Sequence, residues 1–76
     1  MKERAYRVIA NVMNVPAESI DDNSSPDTIE EWDSIKHMNL ILALEQEFSI
    51  QFEDEQIADM LSAELVIETL KELGIQ

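Results

Sequence analysis

The chain has 76 residues, a formal charge of −12, no cysteine and one glycine. A chain this short makes a single domain, residues 1–76, that buries only about 60% of the surface its unfolded form exposes, which excludes a deep cleft between domains. At 45% hydrophobic it is too apolar for a disordered acidic tail, and without cysteine it has no disulfide, zinc–thiolate site or thiol nucleophile.

Ala5, Val8, Ile9, Val12 and Met13 follow the i, i+3, i+4, i+7 spacing of an amphipathic helix, with Glu3, Arg4, Arg7 and Asn11 opposite. Pro16 biases Val15 away from helical geometry, so this helix is predicted to stop near Asn14. From Val15 to Asp33 no period is sustained, and both prolines and the Asp21–Asp27 polar cluster fall here. The segment reads as a long loop anchored to the core by Ile20, Ile29 and Trp32; loops of this length are often functional. Asp33 is the predicted N-cap of a strong helix from Ser34 to Phe48. Ile35, Met38, Leu40, Ile41, Leu42, Leu44 and Phe48 cover an arc of roughly 220° of it, which predicts a central helix packed by several neighbours. After the acidic turn Glu53-Asp54-Glu55, a short helix is predicted through Ile57, Ala58, Met60 and Leu61. Ser62 then caps a last helix carrying Leu65, Val66, Leu70 and Leu73, ended by Gly74. The expected fold is all-α: three longer helices, one short helix and a long first loop.

Charge narrows the partners. Seventeen Asp+Glu against five Lys+Arg repel nucleic acid and anionic membrane surfaces. Lys2, Arg4 and Arg7 against Glu3 leave residues 1–7 at +2, so the other 69 residues hold −14 of the total of −12. Residues 1–12 are interrupted by charges and show no apolar leader, and no run approaches the ~18 apolar residues of a membrane span. A cytoplasmic monomer is the expectation.

Most chemical constellations fail on inspection. His37 is the one histidine and builds no histidine-rich metal site or catalytic set; it reads as structural or surface-exposed. The Asp21–Asp27 stretch has the look of a calcium loop. Yet Pro26 stands where the sixth-position glycine is needed, and the twelfth position is Trp32 rather than a bidentate glutamate. Asn23-Ser24-Ser25 is a chance glycosylation sequon in this setting.

What remains is Glu30-Glu31-Trp32-Asp33-Ser34-Ile35, at the junction of the long loop and the central helix. Ser34 falls in the first turn, where free backbone N–H groups and the positive end of the helix dipole favour a phosphate ester; Asp33 opposes part of that gain. Ser34 also lies beside the apolar arc, so a flexible group on it can turn toward the bundle or toward a partner. The stretch from Trp32 through Met38, Leu44-Glu45-Gln46-Glu47-Phe48, and Ile50 to Ile57 resembles an acyl carrier protein. The similarity covers nearly the whole chain, with Asp33-Ser34-Ile35 in place of that family's Asp-Ser-Leu attachment motif.

The resemblance implies a four-helix carrier with no catalytic activity of its own. A phosphopantetheinyl transferase would use Mg²⁺ and coenzyme A to place 4′-phosphopantetheine on Ser34, and the arm's thiol would carry acyl groups as thioesters. Asp33 would help the transferase dock. Further partners would be an acyl-loading ligase or transacylase and ketosynthase or acyltransferase-type enzymes, met through Ile35, Lys36, Met38, Asn39, Glu45, Glu47, Glu53 and Asp54. The bundle would sheath the acyl chain between visits. Departures from the family pattern are Glu31 in place of a common glycine, bulky Trp32, and Lys36 and Asn39 where fatty-acid-synthesis carriers are typically acidic. These departures predict a dedicated pathway rather than the housekeeping synthase. An aminoacyl or peptidyl carrier is the alternative within the class, and an unmodified acidic helical adaptor the alternative outside it.

Overall fold

The computed structural model describes residues 1–75, and among these all regular structure is helical. Four α-helices follow in order: α1 Lys2–Met13, α2 Ser34–Phe48, α3 Asp54–Asp59 and α4 Ala63–Glu72. A single 3-10 turn, Ala17–Ser19, interrupts the long first loop. The predicted order and the four-helix architecture are those observed.

Helix α1 buries Ala5, Ile9, Ala10 and Met13 on one stripe and packs against α2 and α4. It ends where Asn14 turns to φ 59°, a left-handed conformation that asparagine tolerates better than most residues. Helices α1 and α2 run antiparallel, and both ends of the pair are tied. At one end Arg4 Nε donates to Glu47 Oε2 at 2.9 Å and Arg4 Nη2 to the Glu47 carbonyl at 3.0 Å, with the guanidinium 4.8 Å above the Phe48 ring. At the other, Lys36 Nζ donates to the Val12 carbonyl at 3.3 Å, placing a cation on the last turn of α1.

The long loop is a working part of the bundle. Ile20, Ile29 and Trp32 are buried, as the anchors predicted. Ser24, also buried, accepts the Asp21 N–H on its Oγ at 2.9 Å and closes a tight turn. That turn aims two carbonyls at the start of α4: Ser24 O accepts the Ala63 N–H at 2.8 Å and Asp22 O the Glu64 N–H at 3.3 Å. Ser62 Oγ takes the Leu65 N–H at 3.1 Å, and the Ser62 carbonyl takes that of Val66 at 3.0 Å. Thus the N–H groups of Ala63, Glu64 and Leu65, which the helix does not satisfy internally, each have an acceptor, and that of Val66 makes the first i→i−4 bond of the helix. At the other end Gly74 adopts φ 85°, the left-handed position that a C-terminal glycine serves.

The predicted burial of α2 needs correction. Its buried residues are Leu40, Ile41, Leu44 and Phe48, a single stripe facing α1 and the core. Ile35, Met38 and Leu42 are 74%, 49% and 57% exposed, because no other element lies over that side of the helix. Likewise α3 stops at Asp59, so Met60 is buried in the core while Leu61 lies beyond the helix, 58% exposed. Leu65 on α4 is 42% exposed, and Leu73 is the C-cap rather than a helical residue.

Candidate functional site

Ser34 is the first residue of α2 and is exposed. Asp33 precedes it in extended conformation, φ −101° and ψ −174°, and its Oδ1 accepts the Lys36 N–H at 2.8 Å. The Asp33 carbonyl accepts the His37 N–H at 2.8 Å. This is the expected cap, and it leaves the N–H groups of Ser34 and Ile35 without an acceptor among the described residues. Two free amides at the positive end of a 15-residue helix favour a phosphate ester on the adjacent hydroxyl. The Asp33 carboxylate is the opposing charge, and its engagement with the Lys36 N–H turns one oxygen into the helix.

A groove of about 490 Å³ opens beside Ser34, lined by Pro26, Trp32, His37, Met38 and Leu61 together with Asp33 and Ser34 themselves. That volume falls within the range of small-molecule sites, about 300–1,000 Å³, and the lining is mostly apolar. The residues present fit a phosphoryl group at the helix end and a flexible chain running from it.

His37 lines the groove and has the structural role expected of it, held through both ring nitrogens. Its Nδ1 accepts the Trp32 indole N–H at 3.0 Å, and its Nε2 lies 2.9 Å from the Ile57 carbonyl. An indole nitrogen only donates, so Nδ1 carries no proton, and Nε2–H donates to Ile57. The two rings lie edge to edge and nearly coplanar, with centroids 6.3 Å apart and 22° between planes. Spacing hinted at it, with an aromatic donor and an imidazole either side of a helix start; the Ile57 acceptor, 20 residues on, did not show.

The residues expected to meet partners separate into two groups. Ile35, Met38 and Asn39 stand exposed on α2, and with Leu42 they form a ridge running down the helix from Ser34. Glu53 and Asp54 are exposed at the start of α3, where the Glu53 N–H donates to Gln56 Oε1 at 2.9 Å. The others hold the fold. Lys36 is half-buried on the end of α1, Glu45 Oε2 accepts the Phe52 N–H at 2.9 Å, and Glu47 pairs with Arg4 at 2.8 Å.

Charge is therefore absent from the ridge. From Ser34 to Leu44 the one formally charged side chain is Lys36, turned toward α1. Carboxylates gather at its two flanks instead: Asp27, Glu30, Glu31 and Asp33 before it, Glu53, Asp54, Glu55 and Asp59 on and around α3, all exposed. Away from the site, Tyr6 donates its hydroxyl to Asp22 and Lys2 Nζ lies 3.0 Å from the same carboxylate. Burial, then the Asp22 hydrogen bond and charge, push the Tyr6 phenol upward; the hydrogen bonds from Tyr6 and Lys2 hold Asp22 below the usual carboxylate range.

A helical bundle with a serine opening its second helix beside an apolar groove is the architecture of a carrier domain. The chain matches the family described as phosphopantetheine attachment site (PP-binding) over residues 3–74, and it belongs to that family. Members carry 4′-phosphopantetheine covalently, so this chain is a phosphopantetheine carrier protein that meets modifying and biosynthetic enzymes. No curated protein matches it. Among the described residues no helix is long and apolar enough to cross a membrane.

Proposed function

We propose that Ser34 is the attachment serine and that the protein carries acyl groups on the arm. The observation that carries this reading is the exposed Ser34 hydroxyl in the first turn of α2, next to two unpaired amides and at the mouth of the groove. The arm supplies the thiol that a cysteine-free chain lacks, and its thioester keeps the acyl group activated for transfer. The chain's own residues do the rest. Asp33 sets the helix start and offers one carboxylate oxygen to the transferase and its Mg²⁺. The ridge of Ile35, Met38 and Leu42 presents apolar surface to each enzyme in turn, and the mostly apolar groove favours acyl over aminoacyl cargo.

With no charge on the ridge, apolar contact anchors a partner, while the flanking carboxylates steer it through longer-range attraction. Such a face suits the enzymes of a dedicated acyl pathway in the cytoplasm better than a housekeeping synthase that reads acidic residues beside the serine. The protein is a single carrier domain acting as a monomer and as a substrate of its transferase.

Intact mass after incubation with a phosphopantetheinyl transferase, Mg²⁺ and coenzyme A tests the assignment. A gain of one arm, lost in Ser34→Ala, is expected. An unchanged mass with several transferases, or a gain that survives Ser34→Ala, overturns it. Charging by fatty-acid ligases but not amino-acid ligases is the expected second result. Equal use by the housekeeping ketosynthase and transacylase overturns the dedicated-pathway reading.

A further inference from the structure

The place of the cargo follows from what lies between the groove and the core. His37 is three residues after Ser34, on the same side of α2, and it reaches from the loop residue Trp32 to the Ile57 carbonyl in the last turns of α3. Among the described residues this is the hydrogen bond that joins α2 directly to α3. It spans the gap between the two helices at the end nearest Ser34. Leu40, Leu44, Met60, Val66 and Leu70 are fully buried members of the core, and none of them lines the groove. Trp32 is the one buried core side chain that does, and its indole N–H is hydrogen-bonded edge to edge to the imidazole.

Both imidazole nitrogens are engaged, one as acceptor and one as donor, so the ring is fixed in a single tautomer and orientation. Moving it aside strands the indole N–H and removes a partner from the Ile57 carbonyl, whose other donor, the Met60 N–H, is at 3.4 Å. Both groups sit in part-buried surroundings where a lost hydrogen bond is not replaced by water without cost. The outer groove, by contrast, is already open, and its apolar walls of Pro26, Met38 and Leu61 need no rearrangement.

We propose that the Trp32–His37–Ile57 relay bars the bundle, so that the acyl group rests in the outer groove instead of the core. His37 is then a positioning residue that keeps the acyl chain out of the bundle. This rests on Ser34 as the attachment serine and adds where the cargo goes. The ordinary expectation for an acyl carrier, a chain sheathed among the helices, requires the relay to open.

The test uses the full chain with methyl-labelled Ile, Leu and Met, loaded by the transferase from acetyl-, hexanoyl- and decanoyl-coenzyme A. Intact mass is read first, and failure to gain any arm overturns the Ser34 assignment itself. In the loaded protein, methyl resonances of Met38 and Leu61 are expected to move with chain length while those of Leu40, Leu44 and Leu70 stay fixed. Core resonances that move with chain length in the wild type overturn the proposal and leave the Ser34 assignment standing. In His37→Ala, decanoyl is expected to shift the core resonances. Trp32→Phe, which keeps a ring but removes the donor, is the second variant should alanine unfold the chain. Core resonances still in folded, decanoyl-loaded variants overturn the assignment of the bar to His37.

Discussion

Replacing Asp33 by alanine removes the acceptor of the Lys36 N–H, held at 2.8 Å, and leaves the Ser34 hydroxyl in place. Loss of an N-cap side chain costs about 1 kcal/mol within a range of about 0.5–2. The carboxylate's attraction to the positive end of the helix adds about 0.3–1 kcal/mol. Against this, Glu30 and Glu31 are exposed nearby and like-charged, so deleting one negative charge relieves some repulsion. The buried stripe of Leu40, Ile41 and Leu44 begins nearly two turns further on, which confines unravelling to the first turn. These terms leave a net loss of about 1 kcal/mol, or a Tm lower by about 4–8 °C for a domain of this size. Asp33→Ser keeps a good N-cap acceptor without the charge, and is expected to recover all but a few tenths of a kcal/mol. Urea unfolding of the unmodified protein, followed by helical circular dichroism and Trp32 fluorescence, measures the difference. An alanine variant as stable as wild type, or a serine variant as weak as alanine, refutes the cap argument. The rate of arming separates the second role: Asp33→Ser is expected to be folded but slow to arm, and a wild-type rate would remove the transferase from the account of Asp33.

Two leucines two residues apart on α2 should behave in opposite ways. Leu44→Ala empties a fully buried position and is expected to cost about 2–5 kcal/mol, a large share of what a chain this short holds. Leu42→Ala removes exposed surface and is expected to change stability by less than about 0.5 kcal/mol while lowering kcat/KM of partner enzymes; unfolding midpoints and transfer kinetics report both. The Tyr6–Asp22 contact makes stability depend on pH at both extremes. Asp22 is held low in the folded state, so its contribution is present above the ordinary carboxylate range and is lost as pH falls through its lowered value. Tyr6 is held high, so its contribution is present below about pH 10, the ordinary phenol value, and declines as pH rises beyond it. The gap in urea midpoint between wild type and Tyr6→Phe should be widest near neutrality and close toward acid and strong base. A gap that does not change with pH refutes the assignment.

Local signals carried well from sequence to structure. Asp33, Ser62 and Gly74 act on amides or dihedrals within three residues of themselves, and each stands where the reading placed it. Ile20, Ile29 and Trp32 were legible because an apolar residue in a polar loop has nowhere favourable to go except the core. The width of the apolar arc on α2 misled, because periodicity records which side chains avoid water and not which of them find a neighbour. Ile35, Met38 and Leu42 belong to the arc and remain outside. The roles of Lys36 and Glu47 were not legible either, since their contacts, Val12 and Arg4, are 24 and 43 residues away. Charge alone put them on a partner face; reach put them on α1.

The start of α4 is held in part by the carbonyls of Ser24 and Asp22. A carbonyl is the same group whatever side chain it accompanies, so this part of the cap depends on residue identity only through the side chains that shape the turn, Ser24 among them. Most substitutions in residues 14–33 leave those two acceptors where they are. A one-residue deletion there would withdraw both and pull on the Asp33–Ser34 junction downstream. The chain length between α1 and α2, more than its composition, is thereby the quantity under constraint, and a graded series of loop deletions would register it at the far end of the protein before it touched the serine.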